Sequence, residues 1–385
     1  MEANGKISVL SIFGTRPEAT KMVPLIKQLA DCPHIDSRVC ITAQHREMLD
    51  SVLNAFGIIP DFDLNIMQKN QNLEDITIRA LSGCGEIIRK SGADLVLVHG
   101  DTTTAMAASL AAFYGGIKLG HVEAGLRTHN KAAPYPEEMN RRITGALADM
   151  HFAPTATARD NLLRENIPAD NIFVTGNTAI DFVKQVANPN YRFICDDLNH
   201  IDFDKHRIIT ITAHRRENYG EPLENICRAV ARIAADFPDC LIVWPVHLSP
   251  VVRGVVMPAM AGLERVLLLD PIDARDLQNL LAKSTLVLTD SGGIQEEAPA
   301  YNKPVVVLRD TTERPEGLAT GCLTLAGTNE NTIYTQTATL LTNTAEYQKM
   351  ANAKNPFGDG QASHRIHTAI LYKFNKAPAP MPDFK

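Results

Sequence analysis

No apolar run in this chain approaches the roughly 20 residues that a helix needs to cross a bilayer. No membrane partner is therefore expected. The start, Met1-Glu-Ala-Asn-Gly-Lys6, has no basic segment and no small-residue cleavage pattern, and it runs straight into the apolar stretch Ile7 to Phe13. That reads against secretion and predicts a cytoplasmic location. There is no CxxC pair. The seven cysteines (32, 40, 84, 195, 227, 240 and 322) are odd in number and scattered, which predicts reduced thiols serving as core filler and no zinc or other metal site. Excess positive charge is also missing. With 38 Lys and Arg against 44 Asp and Glu, the net charge of −6 argues against a dedicated nucleic-acid binder and leaves room only for a local basic pocket. The dinucleotide fingerprint G-x-G-x-x-G is absent, which argues against a redox dinucleotide and predicts no cofactor. No internal repeat occurs, and the single biased stretch is Ala377-Pro-Ala-Pro-Met-Pro382, expected as a loose tail.

What is present is core material and rhythm. A 45% hydrophobic and 21% charged composition belongs to a globular protein, and 385 residues suggest two domains. Short β-branched runs (7 to 13, 37 to 42, 94 to 99, 118 to 122, 150 to 153, 172 to 175) alternate with longer segments of helical period. The rhythm restarts at 207 to 212 and continues through 241 to 245, 266 to 269, 285 to 289 and 304 to 308. Each series predicts a parallel sheet wrapped by helices, so the fold class is α/β with two Rossmann-like doubly wound domains. The expected division is 1 to 187, a linker at 188 to 206, 207 to 358, and a helix at 359 to 374 folding back on the first domain. Open α/β sheets bind ligands beyond the C-terminal ends of their strands, and two such domains predict a cleft between them.

The chemistry-bearing residues cluster after those strands. Gly14-Thr-Arg16-Pro-Glu18 follows the first, with Pro17 suited to a first helical position and Arg16 and Lys21 as candidate ligand contacts. Asp101 follows the strand ending at His99, where an N-cap would account for it equally well. Glu123 ends the strand 118 to 122. Glu137 and Arg141 stand four apart on one helix face, the spacing of an ion pair. Three acids from three successive strand ends are more than surface pairing requires. In the second half His214 precedes Arg215 and Arg216, and His247 follows the next strand. Ser291-Gly292-Gly293 opens a turn into a helix, where free amides accept a diphosphate and Glu296 or Glu297 is left to reach a ribose. A glycine pair is also ordinary punctuation between strand and helix. Arg314 is a candidate for completing a phosphate clamp with Arg16.

Ten motifs in order carry a resemblance: Gly14-Thr-Arg-Pro-Glu, Gln44-His45, Gly100-Asp-Thr-Thr-Thr, His121-Val-Glu-Ala-Gly-Leu-Arg-Thr, Pro136-Glu-Glu…Asn140-Arg, Gly176-Asn-Thr, His214-Arg-Arg-Glu-Asn, Pro245-Val-His-Leu, Asp290-Ser-Gly-Gly-Ile-Gln-Glu-Glu-Ala-Pro and Arg309-Asp-Thr-Thr-Glu-Arg-Pro-Glu. From residue 7 to about 370 the chain resembles the non-hydrolysing UDP-N-acetylglucosamine 2-epimerases of bacteria. The resemblance implies a glycosyltransferase-B-like fold, a homodimer, and interconversion of UDP-N-acetylglucosamine and UDP-N-acetylmannosamine, supplying mannosamine units for surface polysaccharide. It places catalytic roles on Asp101, Glu123, Glu137, Arg141 and His214. UDP contacts fall on Arg16, Lys21, Ser291, Gly292, Gly293, Glu297 and Arg314. An allosteric UDP-sugar site in some members matches Gln44, Arg215 and His247, but an arginine used there is Asn70 here. Aromatics of the family are replaced too: the uracil-packing position is Leu277 and a tryptophan is Tyr135.

The implied chemistry explains these parts. The C2 proton has no adjacent carbonyl, so UDP leaves C1 as C2–H is lost, giving 2-acetamidoglucal. UDP then returns while a proton reaches the opposite face of C2. One carboxylate takes a proton and another acid delivers one, Arg141 orients Glu137, and cations hold the departing UDP. Closure around the substrate is expected, since a released glucal is lost. Rival readings are a glycosyltransferase on the same scaffold, an epimerase of a related UDP-diacetamido sugar, a hydrolysing epimerase, and a non-catalytic sugar-nucleotide sensor.

Overall fold

The β-branched runs form strands buried on both faces, as a parallel sheet covered by helices requires. The computed structural model describes residues 5–44, 46–68, 71–132 and 134–385. Residues 1–182 and 358–385 make up one unit and 183–357 the other.

In the first unit the strands are β1 (Ile7–Phe13), β2 (Ile35–Ile41), β3 (Phe62–Asp63), β4 (Leu95–His99), β5 (Lys118–Val122), β6 (Met150–Ala153) and β7 (Ile172–Val174). They lie in the order β3-β2-β1-β4-β5-β6-β7, all parallel. Alternation along β1 sends Val9 and Phe13 into one apolar layer and Leu10 and Ile12 into the other. The strand order reverses between β1 and β4, which opens a crevice beyond their C-terminal ends.

The second unit holds β8 (Arg207–Thr212), β9 (Cys240–Pro245), β10 (Val266–Leu269), β11 (Leu286–Thr289), β12 (Val305–Val307) and β13 (Leu323–Leu325). Their order is β10-β9-β8-β11-β12-β13, again parallel, with the reversal between β8 and β11. Strands β3 and β13, 2 and 3 residues long, are not among the runs read from the sequence.

Two expectations are corrected. Residues 188–206 are not a free linker but part of the second unit: Phe193 and Leu198 are buried with Ile208, Val243 and Leu280. Buried Asp276 ties them down, accepting the Tyr191 hydroxyl and the Ile194 and Cys195 amides, each within 2.9 Å. The C-terminal tail is not loose either. The Phe384 amide donates to the Val174 carbonyl at 2.7 Å and the Val174 amide donates to Asp383 at 3.0 Å, so the tail occupies backbone groups that edge strand β7 leaves unpaired.

The helix Ala362–Lys373 buries Ile366, Ala369 and Ile370 in the first unit, and Asp181 accepts the Ala362 and Ser363 amides at its N-terminus. Among the described residues no helix is long and apolar enough to cross a membrane. All seven cysteines are unpaired, six of them buried.

Candidate active site

The first-unit crevice is built from loop chemistry that β1 and β4 hold side by side. The helix Arg16–Ala30 begins with Pro17 in its first turn and is locked by Glu18, whose buried carboxylate accepts the Gly14 amide (3.0 Å), the Thr15 amide and hydroxyl (2.8 Å each) and the Thr102 hydroxyl (2.7 Å). Burial raises the Glu18 pKa, and those donors oppose the rise only in part. Gly14 has no room for a side chain, since a Cβ there would lie 2.1 Å from the Thr42 hydroxyl. Arg16 is exposed at the rim.

Asp101 is not the N-cap of the helix Thr103–Tyr114; that role belongs to Thr102, whose hydroxyl accepts the Ala105 amide at 3.0 Å. The Asp101 carboxylate is left to meet Arg141, with which it forms a short ion pair. Asn140 holds the same loop by donating to the Asp101 carbonyl at 2.9 Å.

The expected Glu137–Arg141 pair is also corrected. On the helix Glu137–Leu147, Arg141 binds Asp101 and, at 3.2 Å, Glu138. Glu138 is fully buried and accepts the Thr128 and His129 amides at 3.0 and 3.1 Å, with Arg142 3.3 Å away. Arg141 therefore bridges two elements, and Glu137 is left half-buried beside it without an ion pair among the described residues. A cavity of about 460 Å³ opens here, lined by Arg16, Gln44, Asp101, Glu137 and Asn140 among others. The Gln44 side chain accepts the Thr104 hydroxyl at 3.0 Å.

Glu123, just past β5, adopts φ 64°, a left-handed backbone uncommon outside glycine. Its carboxylate pairs with Lys21, accepts Asn177 Nδ2 at 3.0 Å and lies 3.6 Å from His99 Nε2. Lys21, expected as a UDP contact, is thus engaged by an acid of its own unit. Burial pushes His99 down to about 4 despite the opposing charge of Glu123, so it is neutral beside that carboxylate. Burial likewise takes His121 to about 3, and its Nε2 lies 2.7 Å from the Gly100 carbonyl.

In the second unit the loops after β8 and β11 meet at Asp290. Its Oδ2 accepts the His214 amide (2.7 Å), the Arg215 amide (2.8 Å) and Asn218 Nδ2 (3.0 Å). Burial alone would raise the Asp290 pKa, yet His214 and those amide donors outweigh it and hold the carboxyl below its usual range. The His214 ring stacks on His247 at 5.6 Å between centroids, and His247 is exposed. Arg215 is half-buried.

Ser291, Gly292 and Gly293 start the short helix Gly292–Glu297. The Arg314 guanidinium lies over Gly292, where a Cβ would sit 3.3 Å from its Cζ. Glu296, one of two acids considered for a ribose, is instead buried against Arg314 at 2.7 Å. Glu297 accepts Gln278 Nε2 at 2.6 Å, and Leu277 is partly buried against the apolar cluster around Ile294. Tyr135 is exposed, and Asn70 and His45 lie outside the described residues. No group of three or more metal-ligating side chains occurs among the described residues.

Sequence reasoning assigned no role to Glu138, Asn177 or Asp290, although all three stand inside the quoted motifs. For Asn177 and Asp290 the signal available was a polar residue close after a strand end, whereas Glu138 stands on the helix Glu137–Leu147. Which neighbour turns inward is decided by packing.

A family model described as UDP-N-acetylglucosamine 2-epimerase matches residues 27–371. The chain is 55% identical over 369 residues to the UDP-N-acetylglucosamine 2-epimerase of Bacillus subtilis (strain 168), covering 96% of each. A crystal structure of a UDP-N-acetylglucosamine 2-epimerase is 51% identical and superposes with a TM-score of 0.91, over 99% of this chain and 100% of that one. The UDP-GlcNAc 2-epimerase from Neisseria meningitidis, solved bound to UDP-GlcNAc, is 46% identical with a TM-score of 0.84, over 95% and 100%. The α/β fold with two doubly wound sheets is accordingly of the glycosyltransferase-B-like kind. With its motifs on the loops of both sheets and its length matched almost end to end, the chain belongs to the UDP-N-acetylglucosamine 2-epimerase family.

Proposed function

We propose that this protein interconverts UDP-N-acetylglucosamine and UDP-N-acetylmannosamine by eliminating UDP to give 2-acetamidoglucal and adding it back. The substrate follows from family membership and from the relative bound to UDP-GlcNAc. The observation that carries the chemistry is the cavity lined by both Asp101 and Glu137; Glu123, held by Lys21 and Asn177, follows β5, the neighbour of the strand β4 that Asp101 follows.

Epimerisation through a glucal needs two proton-transfer groups, because one proton leaves one face of C2 and another arrives on the other face. It also needs a charge-complementary environment while the C1–O bond breaks. In this reading Asp101, Glu123 and Glu137 share the proton steps and Arg141 keeps Asp101 oriented. Arg16, Arg314, His214 and the amides of the Ser291-Gly292-Gly293 turn hold the diphosphate as it leaves and returns. The mannosamine product supplies polysaccharide assembly.

The test is incubation with UDP-N-acetylglucosamine in D₂O without an acceptor. Deuterium at C2 of both epimers is expected. Turnover without deuterium at C2, or accumulation of free N-acetylmannosamine, would rule the mechanism out.

A further inference from the structure

Asp290 is a buried acid of the second unit, with three hydrogen-bond donors, that the reaction scheme leaves without a task. Its side chain is fully buried at the C-terminal end of β11, beside the reversal of strand order. Oδ2 is saturated by the His214 amide, the Arg215 amide and Asn218. Oδ1 accepts no hydrogen bond among the described residues, and His214 Nδ1 lies 3.2 Å from it. A buried carboxylate oxygen without a donor is costly, and the imidazole N–H is the donor within reach.

We infer that Asp290 is a positioning residue for His214, gripping both its backbone amide and its imidazole Nδ1 so that Nε2 is the nitrogen presented to the sugar nucleotide. This rests on the reaction proposed above. Asp290 touches two atoms of one residue, so it sets the loop and the ring together. With Nδ1–H directed at Oδ1, the neutral ring carries its lone pair on Nε2, at the far edge of a side chain that is 38% exposed. His247, stacked on one face at 5.6 Å with an interplanar angle of 14°, restricts ring rotation. Nε2 can then accept a proton and, once protonated, donate it to a phosphoryl oxygen, without any change at Nδ1. Asp290 holds the amide of the next residue, Arg215, as well.

The experiment uses the full chain. In ¹⁵N-labelled wild-type protein, the imidazole nitrogens of neutral His214, assigned by comparison with His214→Ala, are expected to show the Nδ1–H tautomer. In Asp290→Asn the amide NH₂ can face Nδ1, so the tautomer is expected to switch to Nε2–H. Turnover is expected to fall on the order of 100-fold, with KM for UDP-N-acetylglucosamine within about 3-fold. In a His214→Ala background Asp290→Asn is expected to change turnover by less than about 2-fold, because the two act as a unit. A wild-type Nε2–H tautomer, or additive losses in the double variant, would overturn the inference. The tautomer measurement does not depend on turnover, so a wild-type protein that exchanges no deuterium would refute the reaction while leaving the Asp290 result to stand or fall by itself.

Discussion

At the level of single residues, neighbouring acids divide labour by burial. Glu137 and Glu138 are adjacent and chemically alike, yet one lines a cavity and the other is sealed beneath the loop at Thr128 and His129. Glu138→Gln removes the charge that compensates Arg141 and two loop amides, and should destabilise the protein by about 2–3 kcal/mol in urea denaturation. Glu137→Gln should leave stability within about 0.5 kcal/mol while lowering turnover by roughly 100-fold or more. Equal losses of stability in the two variants would contradict this division. The motif Pro136-Glu-Glu announced a site. It did not say which acid faced the cavity, since an eleven-residue helix can be rotated so that either is inside.

Among the elements, the helix Ala362–Lys373 is held at its N-terminus by a residue distant in sequence. It is separated by 181 residues from Asp181, which caps it from outside through the Ala362 and Ser363 amides. Asp181→Ala should cost about 1–2 kcal/mol. Hydrogen exchange should show amides 362–373 losing protection before those of β1 or β4. Unchanged exchange there would mean that the apolar contacts of Ile366, Ala369 and Ile370 suffice alone. The expectation that this segment folds back on the first domain came from its helical period, whereas the pairing of residues 383 and 384 with β7 had no local signal. Proline-rich composition predicts a loose segment. An edge strand in need of partners overrides that prediction.

For the molecule as a whole, acid sensitivity is unevenly distributed. His99, His121 and His151 sit on β4, β5 and β6, and burial lowers them to about 4, about 3 and about 4. The unfolded chain protonates these rings below its ordinary value near 6.5, while the folded unit keeps them neutral. Their stabilisation is therefore complete above pH 6.5 and declines as pH falls toward 4, by on the order of 1 kcal/mol per histidine per pH unit. Among the described residues every histidine with a lowered pKa, His367 included, lies in the first unit. The single tryptophan, Trp244, is buried on β9 of the second. On acidification, far-UV circular dichroism should fall before Trp244 emission shifts to the red. Coincident transitions would show that the two units unfold together. The sequence by itself determined the fold class, the strand-end position of most candidate residues and the family, because apolar period, glycine and proline punctuation, and ordered motifs are local properties. Tertiary structure alone decided the partners: Arg141 with Asp101 across 40 residues, Lys21 with Glu123 across 102, and Asp290 with His214 across 76. Charge pairing is settled by which strand ends the sheet order sets close together, and no spacing along the chain encodes that distance.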